Sequence, residues 1–358
     1  MHIDLDAAQA WERLRASRWS PPGRANTGSR QKTYAAALEQ SEQTFQAAAA
    51  VGTATRPMQV FYGLSQAGRA IAAAAWALKG DAWNLTSHGI KATGFHLPFP
   101  DIQIRTDQPG SQGSFVTVSE ALDSPVWGKD LVRLEDVWDL LPPNLRYPLT
   151  TRDRLTPLFA DEDGIGTHEH SLLSISVCHI PARVVNAGTR EALEAFLTSY
   201  PAVAQHDSYV TTGALSLGTE APPDYGIYNR DRGELTINWQ MPPGSGLEGM
   251  ATADERLAHL RAMTRSYRGD RYFLPVLPPM KRELHPLMAW WAVLYVLSML
   301  SRYQPAQWGA LINVDSSLVS LTSLSGPISL RCPMLLRLPR VFSRAVSPFT
   351  AGLCVTVS

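Results

Sequence analysis

The stretch His285-Pro-Leu-Met-Ala-Trp-Trp-Ala-Val-Leu-Tyr-Val-Leu-Ser-Met-Leu-Ser-Arg-Tyr-Gln-Pro-Ala-Gln-Trp308 decides how the rest of the chain is read. Apolar side chains from Leu287 to Leu300 occupy every direction of a helical wheel, which predicts a helix buried on all sides. The run falls short of the roughly 20 residues needed to cross a bilayer, so it reads as the central core helix of a soluble domain. Its polar exceptions, Tyr295, Ser298 and Arg302, stand at i, i+3 and i+7 and share one face. Pro305 is expected to end the helix.

Working outward, Thr252-Ala-Asp-Glu255 has the form of a capping box, opening a helix expected to reach Tyr267. Towards the N-terminus, residues 4–17 and Gln31–Val51 read as helices, and Ser20–Arg30 as a loop. Arg56-Pro57 opens a further helix, rich in alanine and small on its faces, so that another helix can approach it closely. Between these helical portions the texture changes. Ile102–Arg105, Ser114–Val118, Ser171–His179, Tyr209–Leu217 and Glu234–Trp239 read as strands, with helices over Leu134–Leu141 and Thr189–Ser199.

These readings predict an α+β fold, with a helical bundle built from N- and C-terminal helices and a mixed β-rich region inserted between them. The expected divisions are an N-terminal helical portion (residues 1–84), the mixed middle (85–243) and the helices completing the bundle (244–315). Beyond Asp315 no acidic residue occurs. Neither helical nor strand period fits Leu318–Ser358, and residues 316–358 are expected to be a disordered terminus or an out-of-frame replacement of a native ending.

Composition narrows the function. Lys and Arg together number 32, as do Asp and Glu, so no whole-chain field draws the protein to nucleic acid or an anionic membrane. Three cysteines, Cys178, Cys332 and Cys354, make neither a CxxC pair nor an even disulfide framework. The amphipathic, acidic start lacks a signal-peptide core. A cytoplasmic location without membrane attachment is the expectation.

The helix after Pro57 carries Tyr62, Ser65 and Arg69 at the same offsets as Tyr295, Ser298 and Arg302, and Gln66 joins the first set. Packed face to face, the two stripes bring two guanidinium groups, two hydroxyls and two phenols together in apolar surroundings. Buried charge needs a partner. Neither stripe holds a carboxylate, so the partner is a carboxylate from the middle region or an anionic ligand, for which phosphate suits arginine best. Alternatively each arginine reaches the surface while the tyrosines fill core.

Other constellations read as structural. Arg261, Arg265 and Arg268, followed by Arg271, Lys281 and Arg282, form a stripe able to track phosphates or simply to face water. His168-Glu169-His170, close after Asp161, Glu162 and Asp163, has metal-ligand residue types but not helical HExxH spacing, and reads as an exposed loop; no metal site is expected. Cys178 and His179 point to opposite faces of a strand and do not make a nucleophile pair. Gly244-Ser-Gly246-Leu-Glu-Gly249 matches GxGxxG without a βαβ context, and reads as a flexible connector. No P-loop, GxSxG elbow or kinase signature occurs, so no cofactor and no catalytic residue is assigned.

Several segments resemble the YaaC-like proteins, a bacterial family: Phe61–Ile71 (FYGLSQAGRAI), Ser87–Ile90 (SHGI), Arg271–Pro275 (RYFLP), His285–Leu287 (HPL) and Leu294–Trp308. The resemblance spans roughly residues 30–315 and implies a cytosolic bacterial protein without a settled reaction. Phe61-Tyr62-Gly63 through Ala67, Arg69 and Ala70 is also similar to a stretch of HEPN helical bundles, which bind nucleotides or cleave RNA. Their nuclease version has a histidine four to six residues after an arginine, whereas Arg302 is followed by Trp308, so the usual proton carrier is missing.

Three functions are therefore open. The first is a binder of a phosphorylated ligand, nucleotide or RNA, through Arg69 and Arg302. The second is a regulatory or scaffold module that docks a protein partner. The third is a HEPN-like nuclease using His285 in place of the missing histidine.

Overall fold

The computed structural model describes residues 7–187, 189–210, 233–267 and 269–312. The chain is α+β, and its residues divide into two compact units. One draws on Leu5–Thr151, Pro278–Met280 and Leu284–Ser358, the other on Arg152–Leu277 and Lys281–Glu283. The first strands thus belong with the N-terminal helices, and the chain divides after residue 151 where the sequence reading placed a boundary after 84.

In the helical unit, α1 (Ala7–Ala16) is followed by α2 (Gly28–Ala50) and α3 (Arg56–Ala74). Tyr34, Ala37, Leu38, Ser41, Glu42, Phe45 and Ala48 are buried, the i, i+3, i+4, i+7 spacing that puts one stripe of α2 against its neighbours. Buried Glu42 takes ion pairs from Arg15 and Arg18. The helix starts three residues earlier than Gln31, where Arg30 is anchored on the carbonyls of Ala73, Leu78 and Gly80 and lies 5.2 Å over the Trp83 ring.

The small faces of α3 are used on two sides. A Cβ at Gly63 would stand 3.1 Å from the Phe45 ring of α2, and one at Gly68 would stand 2.4 Å from Trp291. Trp291 lies on α10 (Pro286–Tyr303), the helix predicted as the core element, and is fully buried. Its neighbours from Leu287 to Ser298 are all buried too. His285 caps α10, its Nδ1 accepting the Leu287 amide at 3.1 Å. The helix stops at Tyr303 as expected, but Pro305 does not leave the chain irregular: it opens α11 (Pro305–Leu311), because a fixed φ and a missing N–H suit a first helical turn.

This unit also holds a three-stranded antiparallel sheet, β1 (Ile90–Thr93), β2 (Gln103–Thr106) and β3 (Val132–Arg133), in that order. With it go α4 (Ser114–Ala121) and α5 (Leu134–Asp139), both packed on α10. The strand expected at Ser114–Val118 is instead α4. All residues from Ser114 to Ser119 are buried, so the stretch shows no alternation and its short apolar run is ambiguous between strand and helix.

The second unit is a six-stranded antiparallel sheet in the order β6-β7-β5-β4-β9-β8. Its strands are β4 (Leu158–Asp161), β5 (Leu172–Cys178), β6 (Ser208–Val210), β7 (Leu235–Gln240), β8 (Arg265–Tyr267) and β9 (Asp270–Phe273). Of the strand read over Tyr209–Leu217, residues beyond 210 lie outside the described residues. Leu173, Ile175 and Val177 alternate inward on β5 and meet Leu193, Phe196 and Leu260 from the helices. Those helices are α6 (Ala182–Ala187), α7 (Arg190–Leu197), α8 (Pro201–Ala204) and α9 (Ala253–Met263). Both halves of the capping box are formed at Thr252 and Glu255.

Helix α9 ends at Met263, not Tyr267, because the next residues pair as β8 with β9. The arginine stripe is broken there. Arg265 is on a strand, 3.8 Å from Glu283; Arg271 reaches Glu162 at 3.1 Å; and Arg268 lies outside the described residues. The GxGxxG segment is a tight turn. The amides of Gly244 and Gly246 donate to Gly249 and Met250 carbonyls, and those of Ser245 and Leu247 to the carboxylates of Glu255 and Glu169, so these four are not left for a phosphate. His170 Nδ1 accepts the Leu172 amide, and no metal-ligand cluster occurs among the described residues. Nor is any described helix long and apolar enough to cross a membrane. The unusual tail after Asp315 lies outside the described residues.

Candidate functional site

Helices α3 and α10 pack on one another, and this contact brings their polar residues into one neighbourhood. Arg302 Nη1 donates to the Tyr62 phenol at 2.8 Å, across 240 residues of chain. The guanidinium also lies 4.9 Å from the centre of the exposed Tyr303 ring. Arg69 Nη1 donates to the Leu85 carbonyl at 3.4 Å. Neither arginine has an ion pair with a carboxylate among the described residues.

The sequence reading did not assign a site role to His88, within the SHGI segment. Its ring stands 5.6 Å from Phe61 of α3 and 5.9 Å from Tyr295 of α10. Desolvation against these rings is the largest cause that lowers its pKa below the usual value for histidine; the charges of Arg302 and then Arg69 push the same way. Both guanidinium groups therefore act on one imidazole.

The backbone explains how His88 is held. Gly89 has φ +67°, and a Cβ there would lie 2.8 Å from the Gly113 Cα, so only glycine permits this approach. The Ser114 and Phe115 amides, at the start of α4, donate to the carbonyls of Ser87 and His88.

The remaining expected residues divide. Tyr295 is buried, and desolvation is the main cause raising its phenol pKa; its hydroxyl makes no hydrogen bond among the described residues. Ser298 is buried and donates to the Tyr295 carbonyl of its own helix at 2.8 Å, which occupies its one proton. The side chains of Ser65 and Gln66 on α3 make no hydrogen bond among the described residues; Ser65 is buried and Gln66 half-buried. Nearby charge comes from Lys91 and Asp107, paired at 3.7 Å, and Asp107 also acts on Tyr295.

His285 is excluded as a stand-in for the missing nuclease histidine. It caps the start of α10, while Arg302 is 17 positions further on, about 25 Å at 1.5 Å per residue.

A family model described as YaaC-like protein matches residues 6–324. The chain belongs to the YaaC-like family. The match covers both units and every residue of the α3/α10 site. No curated protein and no solved structure matches.

Proposed function

We propose that this YaaC-like chain binds a phosphorylated ligand, a nucleotide or RNA, at the meeting of α3 and α10. Arg69 and Arg302 take the phosphate, and Tyr62, Tyr295 and His88 orient the rest. In this reading the helices form a bundle of the kind found in HEPN proteins, working in a bacterial cytoplasm. The supporting observation is that Arg302 and Arg69, on two helices packed together, have a phenol and a carbonyl as partners, both neutral, and the charges of both lower the pKa of His88. Such partners orient a guanidinium without cancelling its charge.

The test is thermal unfolding of the full chain with adenosine phosphates and short oligoribonucleotides, beside Arg302→Ala. A ligand at 100 times its Kd stabilises the fold by about 2.7 kcal/mol. The shift is expected in the parent protein and absent in the variant. No shift with any of these ligands, in a protein that melts cooperatively, would leave the protein-docking scaffold as the better reading.

A further inference from the structure

From Val60 to Ala74 every residue of α3 is buried except Tyr62, Gln66 and Arg69. These stand at i, i+4 and i+7, so the helix opens to water along one narrow polar strip. Each end of the strip meets exposed aromatic rings beside a guanidinium. At one end Tyr62 and Tyr303 are 39 % and 58 % exposed, with Arg302 at 6.0 and 4.9 Å from their ring centres. At the other, just past the end of the helix, Trp76 is 69 % exposed and its ring centre lies 6.0 Å from the Arg24 guanidinium.

A run of contacts within the helical unit joins the two ends. Arg69 donates to the Leu85 carbonyl. Leu85 packs with Ala72 and Leu78, and Trp83 packs against that cluster. Arg30 lies 5.2 Å from the Trp83 ring centre, and its pKa is lowered by burial and then by the charge of Arg24, with Asp81 opposing. Tyr62 and Ala74 are about 18 Å apart along the helix at 1.5 Å per residue, and Trp76 lies beyond. Such a span suits a strand of several nucleotides rather than one.

We propose that the ligand of the α3/α10 site is a single-stranded RNA laid along this strip, with one base stacked on Tyr303 and another on Trp76. The inference rests on the α3/α10 reading and names the class of its ligand. Exposed rings interleaved with arginines hold a single strand because every base offers a flat face while the guanidinium groups follow the phosphates. Gln66, midway along the strip, makes no hydrogen bond among the described residues. Its amide offers a donor and an acceptor together, which complements the 2′-hydroxyl that distinguishes RNA from DNA.

The test is fluorescence anisotropy of the full chain with a labelled octauridylate, competed by uridine 5′-monophosphate and by the deoxy octamer. The RNA octamer is expected to bind about a hundredfold more tightly than the monophosphate and about threefold more tightly than its deoxy counterpart. Trp76→Ala should weaken the octamer about tenfold more than the monophosphate, a ratio that general loosening of the fold does not change. Gln66→Ala should remove the preference for RNA. Log affinity of the octamer should fall against log salt with a slope of about −2, roughly 0.7 for each phosphate met at Arg302, Arg69 and Arg24. Monophosphate binding that is lost in Arg302→Ala, with the octamer no tighter or indifferent to Trp76→Ala, would overturn the strand and leave the α3/α10 reading standing. Binding of neither probe would overturn both, and equal affinity for the deoxy octamer would overturn the choice of RNA.

Discussion

Arg256 and Arg302 both stand on helices that the sequence marks clearly, and the chain treats them in opposite ways. Arg256, on α9, is buried, and its guanidinium donates to the carbonyls of Gly166 and His168, some ninety residues earlier in the chain. It ties a loop to a helix. Arg302, at the end of α10, is exposed and touches a phenol and an aromatic ring. The neighbouring arginines of the sheet unit follow the first pattern, with Arg271 on Glu162 and Arg265 near Glu283. Counting arginines along a helix therefore says little. What distinguishes Arg302 from Arg256 is exposure: both have neutral partners, but the guanidinium of Arg256 is enclosed by the chain whereas that of Arg302 is held by a phenol and open to solvent.

The contrast depends on the α3/α10 contact, and removing that contact should have the largest effect. Trp291→Ala deletes a fully buried indole packed over Gly68 and is expected to cost about 3–5 kcal/mol in urea unfolding. Gly68→Ala approaches the same contact from the other side, forcing the ring away at about 1–3 kcal/mol. Ligand-induced stabilisation should vanish in both. Its survival in either would show that the packing of these helices does not set the arginine positions.

Next in size is the comparison of the arginines themselves. Arg256→Ala strands two carbonyls and is expected to cost about 1–3 kcal/mol. Arg302→Ala, at the surface, should stay within about 0.5 kcal/mol while abolishing the ligand shift. Equal losses from the two would remove the distinction between a structural and a presented guanidinium.

The sequence carried the framework of this site better than its contents. Helix α10 was legible because apolar residues all round a helix have no surface reading, and the capping box at Thr252 because its two bonds are local. The matched offsets on α3 and α10 pointed to Arg69 and Arg302. Their common neighbour was not legible: His88 reaches α10 only through a loop fixed by the approach of Gly89 to Gly113, and no periodicity encodes that. The same limit applies to α4, whose burial on every side erases its pattern, and to the end of α9. There, strand pairing with Asp270–Phe273 overrode a sequence that would otherwise continue the helix.

The smallest effect expected is also the one most specific to the site. His88 has a folded pKa below the unfolded value of about 6.5. As pH falls through 6.5, the unfolded chain takes up a proton that the folded chain resists, so stability declines towards the folded pKa and is recovered above 6.5. His88→Gln should remove this component, so the difference in urea stability between parent and variant should slope between pH 7.5 and 5.5, contributions common to both cancelling in the difference. A bound phosphate reverses the sign, because an anion between Arg69 and Arg302 offsets the charges that oppose the imidazolium. Binding should then take up a proton, and affinity should rise as pH falls across the same window in the parent but not in His88→Gln. A pH-dependent stability difference without pH-dependent binding would place His88 beside the arginines but outside the ligand's reach. A flat difference in both would separate the imidazole from the guanidinium groups altogether.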